Sequence, residues 1–243
     1  MTTLFISDLH LTSCRPRVTD RFIRFIREEA SIADALYVLG DLFDFWIGDD
    51  DNSDFSKLIQ YELKKLTELG VPCFFIQGNR DFLLGKHFLK HTGMQLLEDE
   101  TVIDLYGCQV LIMHGDTLCI HDEEYLEYRK KVRKPWLKWM FTHIPLYIRR
   151  IIATKIQSNL KKHKENKPLD VMDVTLSEVE KVLNFHSVNL MIHGHTHNPG
   201  IHELNTEQGN RIRIVLGDWY TQGSVLAYTE HGYELQVRPF NEK

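Results

Sequence analysis

The chain has 243 residues, 43% hydrophobic and 26% charged, with a net charge of −5, as is ordinary for a soluble globular protein. Its length fits one large domain, or one domain with an insertion. No run of 18 apolar residues occurs, which excludes a transmembrane helix, and Met1-Thr2-Thr3-Leu4-Phe5-Ile6 lacks the basic and longer apolar stretches of a signal peptide.

In chain order, residues 3–7 read as a strand and lead into Asp8-Leu9-His10. A helix is expected over 19–29, with Phe22, Ile23, Phe25 and Ile26 on its apolar side. Residues 35–39 read as a short buried strand that ends in Gly40-Asp41. Residues 54–69 repeat apolar positions at helical spacing until Gly70-Val71-Pro72 stops them. A strand over 73–76 precedes Gly78-Asn79-Arg80-Asp81. Residues 102–105 and 109–113 predict a hairpin around Tyr106-Gly107, followed by His114-Gly115-Asp116. A helix over 176–185 and a strand over 188–192 lead to His193-Gly194-His195-Thr196-His197. Residues 212–216, 224–228 and 233–237 suggest a closing antiparallel set. Alternating strands and helices early, with β-rich pairs late, point to an α/β fold with two packed sheets between helices.

Residues 122–168 break this rhythm. They are helical in composition and contain Trp136, Trp139, Phe141 and Tyr147. Ile148, Ile151, Ile152, Ile156 and Leu160 form an apolar stripe among basic residues. The expected organisation is a core of 1–121 and 169–243 with a helical insertion folded over the strand ends. From Arg129 to Lys167 there are 13 Lys or Arg and one acid, Glu165, a local charge of +12. Such a segment suggests a polyanionic or membrane-surface partner.

Five blocks thus end five predicted strands in residues that bind divalent metals through oxygen or imidazole nitrogen. Asp8 and His10, two apart, can point the same way. A carboxylate such as Asp41 can bridge two cations. We assign Asp8, His10, Asp41 and His197 to a first metal, and Asp41, Asn79, His114 and His195 to a second. Two cations ~3.5–4 Å apart acidify a water and stabilise charge at phosphorus. The mixed ligand set suits Mn²⁺, Fe²⁺ or Zn²⁺ better than Ca²⁺. Asp81 and Asp116 are expected to orient ligands, and His193 to pack within its loop. The remaining histidines, from His87 to His231, are expected to face solvent. Asp44, Asp49, Asp50 and Asp51 read as a solvated acidic loop. Cys14, Cys73, Cys108 and Cys119 lack metal-binding spacing and read as buried reduced thiols.

In order and spacing the five blocks resemble the calcineurin-like metallophosphoesterase signature. The resemblance implies a two-sheet β-sandwich flanked by helices and a dinuclear centre. The broad family usually carries His after Gly-Asn, whereas this chain carries Arg80. Arginine stays protonated and cannot act as a general acid, yet it grips phosphate oxygens bidentately. Departure without protonation suits a phosphate leaving group, which argues for a diphosphate bond. The 41–50, 78–86, 111–119 and 134–136 segments resemble the UDP-2,3-diacylglucosamine diphosphatase family of lipid A biosynthesis. That resemblance implies Mn²⁺-dependent attack of water on the α-phosphorus, giving UMP and 2,3-diacylglucosamine 1-phosphate. It implies catalytic roles for Arg80, Asp41 and His114, and substrate contacts at Asn79, Arg80, Asp122, Lys167 and His195. Leu160 and Lys164 depart from the family's serine and asparagine.

The expected partners are a nucleotide-linked diacylated sugar and the cytoplasmic face of an inner membrane, with no nucleic acid, the chain acting as a monomer. Ile148, Ile151, Ile152 and Ile156, with Trp46, Leu83, Leu84, Trp136, Leu137 and Phe141, are expected to line an acyl chamber. A nuclease or phosphodiesterase on the same core is the rival reading. Isoleucines in place of exposed stacking aromatics weigh against it. A non-catalytic scaffold is a further rival, against which the complete ligand set weighs.

Overall fold

A computed structural model describes residues 1–166, 173–206, 209–220 and 222–239, with side chains described outside 157–166 and 239. Lys167 therefore lies outside the described residues, as do the side chains of Leu160 and Lys164.

The first sheet has the order β11-β10-β1-β2-β3-β4. It comprises β1 (Thr3–Ile6), β2 (Ala35–Val38), β3 (Cys73–Phe75), β4 (Gln95–Leu96), β10 (Gln222–Thr229) and β11 (Gly232–Pro239). The second sheet has the order β5-β6-β7-β9-β8. It comprises β5 (Glu100–Leu105), β6 (Cys108–Met113), β7 (Leu190–His193), β8 (Gly200–Thr206) and β9 (Gly209–Val215). Side-chain alternation builds the layers. Along β1, Phe5 points to the second sheet and packs with Ile112, Ile192 and Ile214. Its neighbours Leu4 and Ile6 point outward to Phe22, Phe25, Ile59 and Leu63. Those residues belong to α1 (Pro16–Glu28) and α2 (Asp54–Glu68), which with α3 (Lys86–Thr92) cover the first sheet. On the far side, α7 (Leu176–His186) lays Val179 and Leu183 on Leu111 and Met191. Each fully buried side chain of this kind contributes about 1.5–3 kcal/mol.

β1, β2 and β3 run parallel with helical crossovers, so their carboxyl ends lie along one edge. In such sheets that edge is where ligand sites form. The hairpin turns at Tyr106 and Gly107, both with positive φ, as the sequence predicts. The closing strands differ from expectation. β9 pairs with β7 and β8 in the second sheet, while only β10 and β11 join the first. The reason is burial: Ile212 and Ile214 fill the space between the sheets, and β8, whose residues alternate half-buried and exposed, covers the outer edge of β9.

Three helices follow β6: α4 (Glu123–Val132), α5 (Pro135–Thr142) and α6 (Leu146–Asn166). Arginines tie them to the strand-end loops. Arg133 donates to the carbonyls of Gln77 and Gly78 at 3.1 and 2.9 Å and pairs with Asp99 at 2.7 Å. Arg149, only 1% exposed, donates to Ile47 O and pairs with Asp50, while Arg150 pairs with Asp51 at 2.9 Å. Part of the basic segment thus faces inward as fastenings rather than forming one continuous cationic surface.

Candidate metal centre

Each of the five blocks leaves the carboxyl end of β1, β2, β3, β6 or β7 and turns sharply. Asp8, His10, Asp41, His195 and His197 all have φ between 48° and 70°, a left-handed conformation that L residues rarely adopt. Such strain persists where surrounding structure holds it, and it clusters at functional sites. Glycines permit the close approach. A Cβ on Gly78 would lie 2.2 Å from Asp41 Oδ1, and one on Gly194 would lie 2.3 Å from Asp8 Oδ2.

Two groups of acceptors result. In the first, His197 Nε2 lies 3.3 Å from Asp8 Oδ1 and 3.2 Å from His10 Nε2, and His10 Nδ1 lies 3.7 Å from Asp41 Oδ2. In the second, Asn79 Oδ1 lies 3.0 Å from His114 Nε2 and 3.2 Å from His195 Nδ1. Asp41 Oδ1 lies 3.9 Å from His114 Nε2. Asp41 therefore stands between the groups, as does Asp8, which also shares a cluster with Asp41 and His114. All seven sequence-expected ligands meet here.

The residues fit divalent cations. Asp8 Oδ1 and His10 Nδ1 are buried without a hydrogen-bond partner, whereas Asp8 Oδ2 accepts from Ser7 Oγ at 2.6 Å and from His195 N at 2.8 Å. One carboxylate oxygen is thus held and the other left facing the cluster. His114 donates its Nδ1 proton to Leu39 O at 2.8 Å, which leaves the Nε2 lone pair facing Asn79 and Asp41. Facing acceptors at such distances are reconciled by a cation between them. The electrostatics agree. Burial, with Asp81 and Asp8 nearby, pushes the Asp41 carboxyl up to about 7 against the pull of His114 and Arg80. Burial also raises the Asp8 carboxyl, but hydrogen bonding and charge from His197, with His114 and His10, hold it well below the usual range. Burial takes His195 down to about 4, with His114 adding to it. His197 moves up to about 9, because Asp218 and Asp8 outweigh its burial.

The second ring of contacts differs from expectation in part. Asp81 joins two of the blocks, accepting from Gly78 N at 2.9 Å and Leu42 N at 2.7 Å. Asp116 holds α4, accepting from Tyr125 Oη and from Arg129 Nε at 2.7 Å. Tyr125 in turn lays its ring on His195, 6.1 Å between centroids. His193 is fully buried and packs in its loop, its Nδ1 donating to Gly194 O at 2.8 Å. Asp122 caps α4 through Tyr125 N at 3.1 Å. The acidic loop is not simply solvated: Asp49 accepts from Trp46 Nε1 and from the backbone of Gly85, His87 and Phe88. His186 and His202 are partly buried, and Cys14 and Cys108 are exposed rather than buried.

Sequence reasoning missed Asp218. Its Oδ2 lies 3.1 Å from His197 Nδ1 and fixes the ring so that Nε2 faces Asp8. Leu216-Gly217-Asp218 repeats the format of Leu39-Gly40-Asp41, and that echo was the available signal. Tyr220 also went unread; its ring stacks on His10 at 5.3 Å, and the Arg15 guanidinium lies 4.5 Å over it.

Arg80 adjoins the cluster. Its backbone N donates to Asp41 Oδ1 at 2.8 Å, and its guanidinium lies 4.0 Å from Asp44. Three residues along the same loop, Phe82 and Leu83 help line an apolar cavity of about 270 Å³ beneath the three helices. Leu137, Phe141, Ile152 and Ile156 line it as expected, joined by Phe45, Tyr128, Val132, Met140 and Ile144. Other expected lining residues lie elsewhere. Trp46 and Leu84 are buried in the core, and Ile148 is half-buried outside the lining. Trp136 and Ile151 are 61% and 66% exposed, because their helix faces point away from the cavity.

Comparison with known proteins agrees with this geometry. The chain is 59% identical to the UDP-2,3-diacylglucosamine hydrolase of Vibrio parahaemolyticus over 241 residues, 99% of this chain and 100% of that one. It is 58% identical to the protein of that name from Aliivibrio fischeri over 240 residues, 99% and 100% of the two chains. For the Vibrio atlanticus protein of that name the figure is 55% over 243 residues, 100% of both. A model of the calcineurin-like phosphoesterases matches residues 1–199, which takes in all five strand-end blocks, and the chain belongs to that family.

Proposed function

We propose that this protein hydrolyses the diphosphate bond of UDP-2,3-diacylglucosamine by attack of water on the α-phosphorus, giving UMP and 2,3-diacylglucosamine 1-phosphate. One observation carries the reading. A single loop, 79–83, joins a candidate ligand, an arginine whose backbone is tied to Asp41, and the wall of an apolar cavity. Reacting group, phosphate clamp and acyl chamber are thereby contiguous. The full-length relatives named for this substrate support it.

Asp8, His10, Asp41 and His197 would hold one cation, and Asp41, Asn79, His114 and His195 the other. Bound there, two divalent ions, Mn²⁺ being our choice, acidify a water and polarise the phosphoryl oxygens. Arg80 clamps the diphosphate and steadies the charge that grows on the departing phosphate. The bond from the α-phosphorus to the bridging oxygen breaks, and the sugar 1-phosphate leaves as an anion without needing a proton. Asn79 and His195 serve both ligation and substrate contact. Asp122 and Lys167, in the insertion of residues 122–168, are the further substrate contacts that the sequence resemblance implies, Lys167 lying outside the described residues. Leu83, Leu137, Phe141, Ile152 and Ile156 exclude water from the acyl chains. The exposed Trp136, Trp139, Tyr147 and Ile151, beside Lys130, Lys131, Lys134 and Lys155, dock the protein on the cytoplasmic face of the inner membrane.

The test is a substrate panel with Mn²⁺: UDP-2,3-diacylglucosamine, UDP-N-acetylglucosamine, bis(p-nitrophenyl) phosphate and oligonucleotides. UMP release only from the diacylated nucleotide is expected, and equal turnover of oligonucleotides would favour a nuclease instead. Arg80→Ala is expected to lose on the order of 100-fold or more in turnover with metal content unchanged; retained turnover removes Arg80 from the mechanism.

A further inference from the structure

Phe45 stands between two cavities of different chemistry, one apolar and one mixed. One is the apolar cavity above. The other has about 610 Å³, within the roughly 300–1,000 Å³ of small-molecule sites. It is walled by segments 11–13 and 43–47, the start of α2 and the flank of α6. Its lining is half polar and half apolar: Thr12, Ser13, Asp44 and Thr154 supply polar groups, and Phe43 and Phe55 supply aromatic rings. Arg150 also lines it, with its charge already met by Asp51 at 2.9 Å.

We propose that this second cavity receives the nucleoside of the substrate, a neutral pyrimidine riboside, while the attached phosphate stays at its mouth. The inference rests on the function proposed above. Asp44 links cavity and reacting centre: it lines the cavity, and its carboxylate lies 4.0 Å from Arg80 and 3.8 Å from Arg15. The two guanidiniums lie beside Asp44, outside the cavity lining, where they suit a phosphate. Arg15 is held by donation to His10 O at 2.7 Å, yet its Nη1 is buried without a partner and so is free to donate. Inside, with Asp51 met by Arg150, the carboxylates of Asp44 and Asp54 disfavour a second phosphate and accept from donors. A ribose diol and a pyrimidine imide N–H supply donors and carry no charge. An acyl chain has none to offer, and it has the apolar cavity across Phe45. The reacting diphosphate would thus lie where the two compartments meet, one half of the substrate in each.

The experiment uses the full chain loaded with Mn²⁺. Saturation-transfer NMR and calorimetric titration follow UMP and, separately, 2,3-diacylglucosamine 1-phosphate. Thr154→Trp and, as a second variant on an exposed loop, Ser13→Trp each narrow the second cavity. Both are expected to weaken UMP binding by about tenfold or more, near 1.4 kcal/mol, and to leave the lipid product's affinity unchanged. Uracil and ribose protons should receive saturation in the unsubstituted protein. UMP binding equally well to both variants overturns the proposal, as does equal loss of both ligands. Absence of UMP release from UDP-2,3-diacylglucosamine counts against the functional reading instead, and the UMP titration still decides the cavity.

Discussion

His197 holds its ring by one atom and faces the cluster with the other. Its Nδ1 donates to Asp218, which also accepts from Tyr220 N at 3.2 Å, so one carboxylate seats both the histidine and the tyrosine stacked near it. Carboxylate partners of this kind fix the tautomer and raise ligand basicity. Asp218→Asn is expected to weaken divalent-ion affinity about 10–100-fold, read by chelator competition on the metal-free protein. Unchanged affinity would reduce Asp218 to a support for Tyr220. The cysteines give a second prediction. Burial pushes the Cys73 and Cys119 thiols up to about 12, while Cys14 and Cys108 are exposed. A thiol reagent at neutral pH should therefore modify two thiols in the native protein and all four after unfolding. The candidate ligands were legible because each follows an apolar strand and a sharp turn, a pattern that survives in one dimension. Asp218 carries the same pattern but follows a strand expected to belong to a closing antiparallel set, and exposure of Cys14 and Cys108 depends on neighbours that the sequence does not name.

The helices after β6 work as an element only because arginines bind them down. Arg129, Arg133 and Arg149 reach acids and carbonyls of the strand-end loops. Lys138 sits differently. It lines the apolar cavity, bonds Gln77 Oε1 at 3.2 Å and lies 5.7 Å from the Phe82 ring. Burial, with Arg133 nearby, lowers its amine to about 8. The folded state therefore disfavours its charged form. Between about 8 and the ordinary lysine value the unfolded chain binds more protons, so stability rises with pH across that window. Below it, Lys138 remains charged and the penalty is complete. Thermal melts should show Lys138→Met above the parent protein at pH 7, with the gap closing as pH rises through 8 to 10. A constant gap would mean that the amine does not feel the cavity. Helical periodicity across 122–168 was legible, yet the orientation of the faces was not. Ile152 and Ile156 line the cavity while Ile151, one residue away, faces solvent, because a stripe wide enough to be read spans both an inner and an outer surface. Trp136 and Trp139 turn outward for the same reason.

For the molecule as a whole, the two sheets set a line of turns along one edge and the helices close over it. The early parallel strands were legible from local runs. β9 was placed in the wrong sheet because strand pairing is decided by distant partners, here β7 and β8. Among the described residues no helix is long and apolar enough to cross a membrane. The membrane docking proposed above is assigned to the exposed aromatics and lysines of the insertion. Trp136→Ala with Trp139→Ala should reduce sedimentation with anionic vesicles while leaving turnover of detergent-dispersed substrate intact; equal sedimentation would place the docking surface elsewhere. The central claim is that water, readied between Asp8, His10, Asp41, Asn79, His114, His195 and His197, attacks the α-phosphorus of a nucleotide-linked lipid. Hydrolysis of UDP-2,3-diacylglucosamine in ¹⁸O-labelled water, followed by mass spectrometry of both products, tests it directly. Label in UMP with none in the sugar phosphate is the predicted result. Label in 2,3-diacylglucosamine 1-phosphate would contradict it.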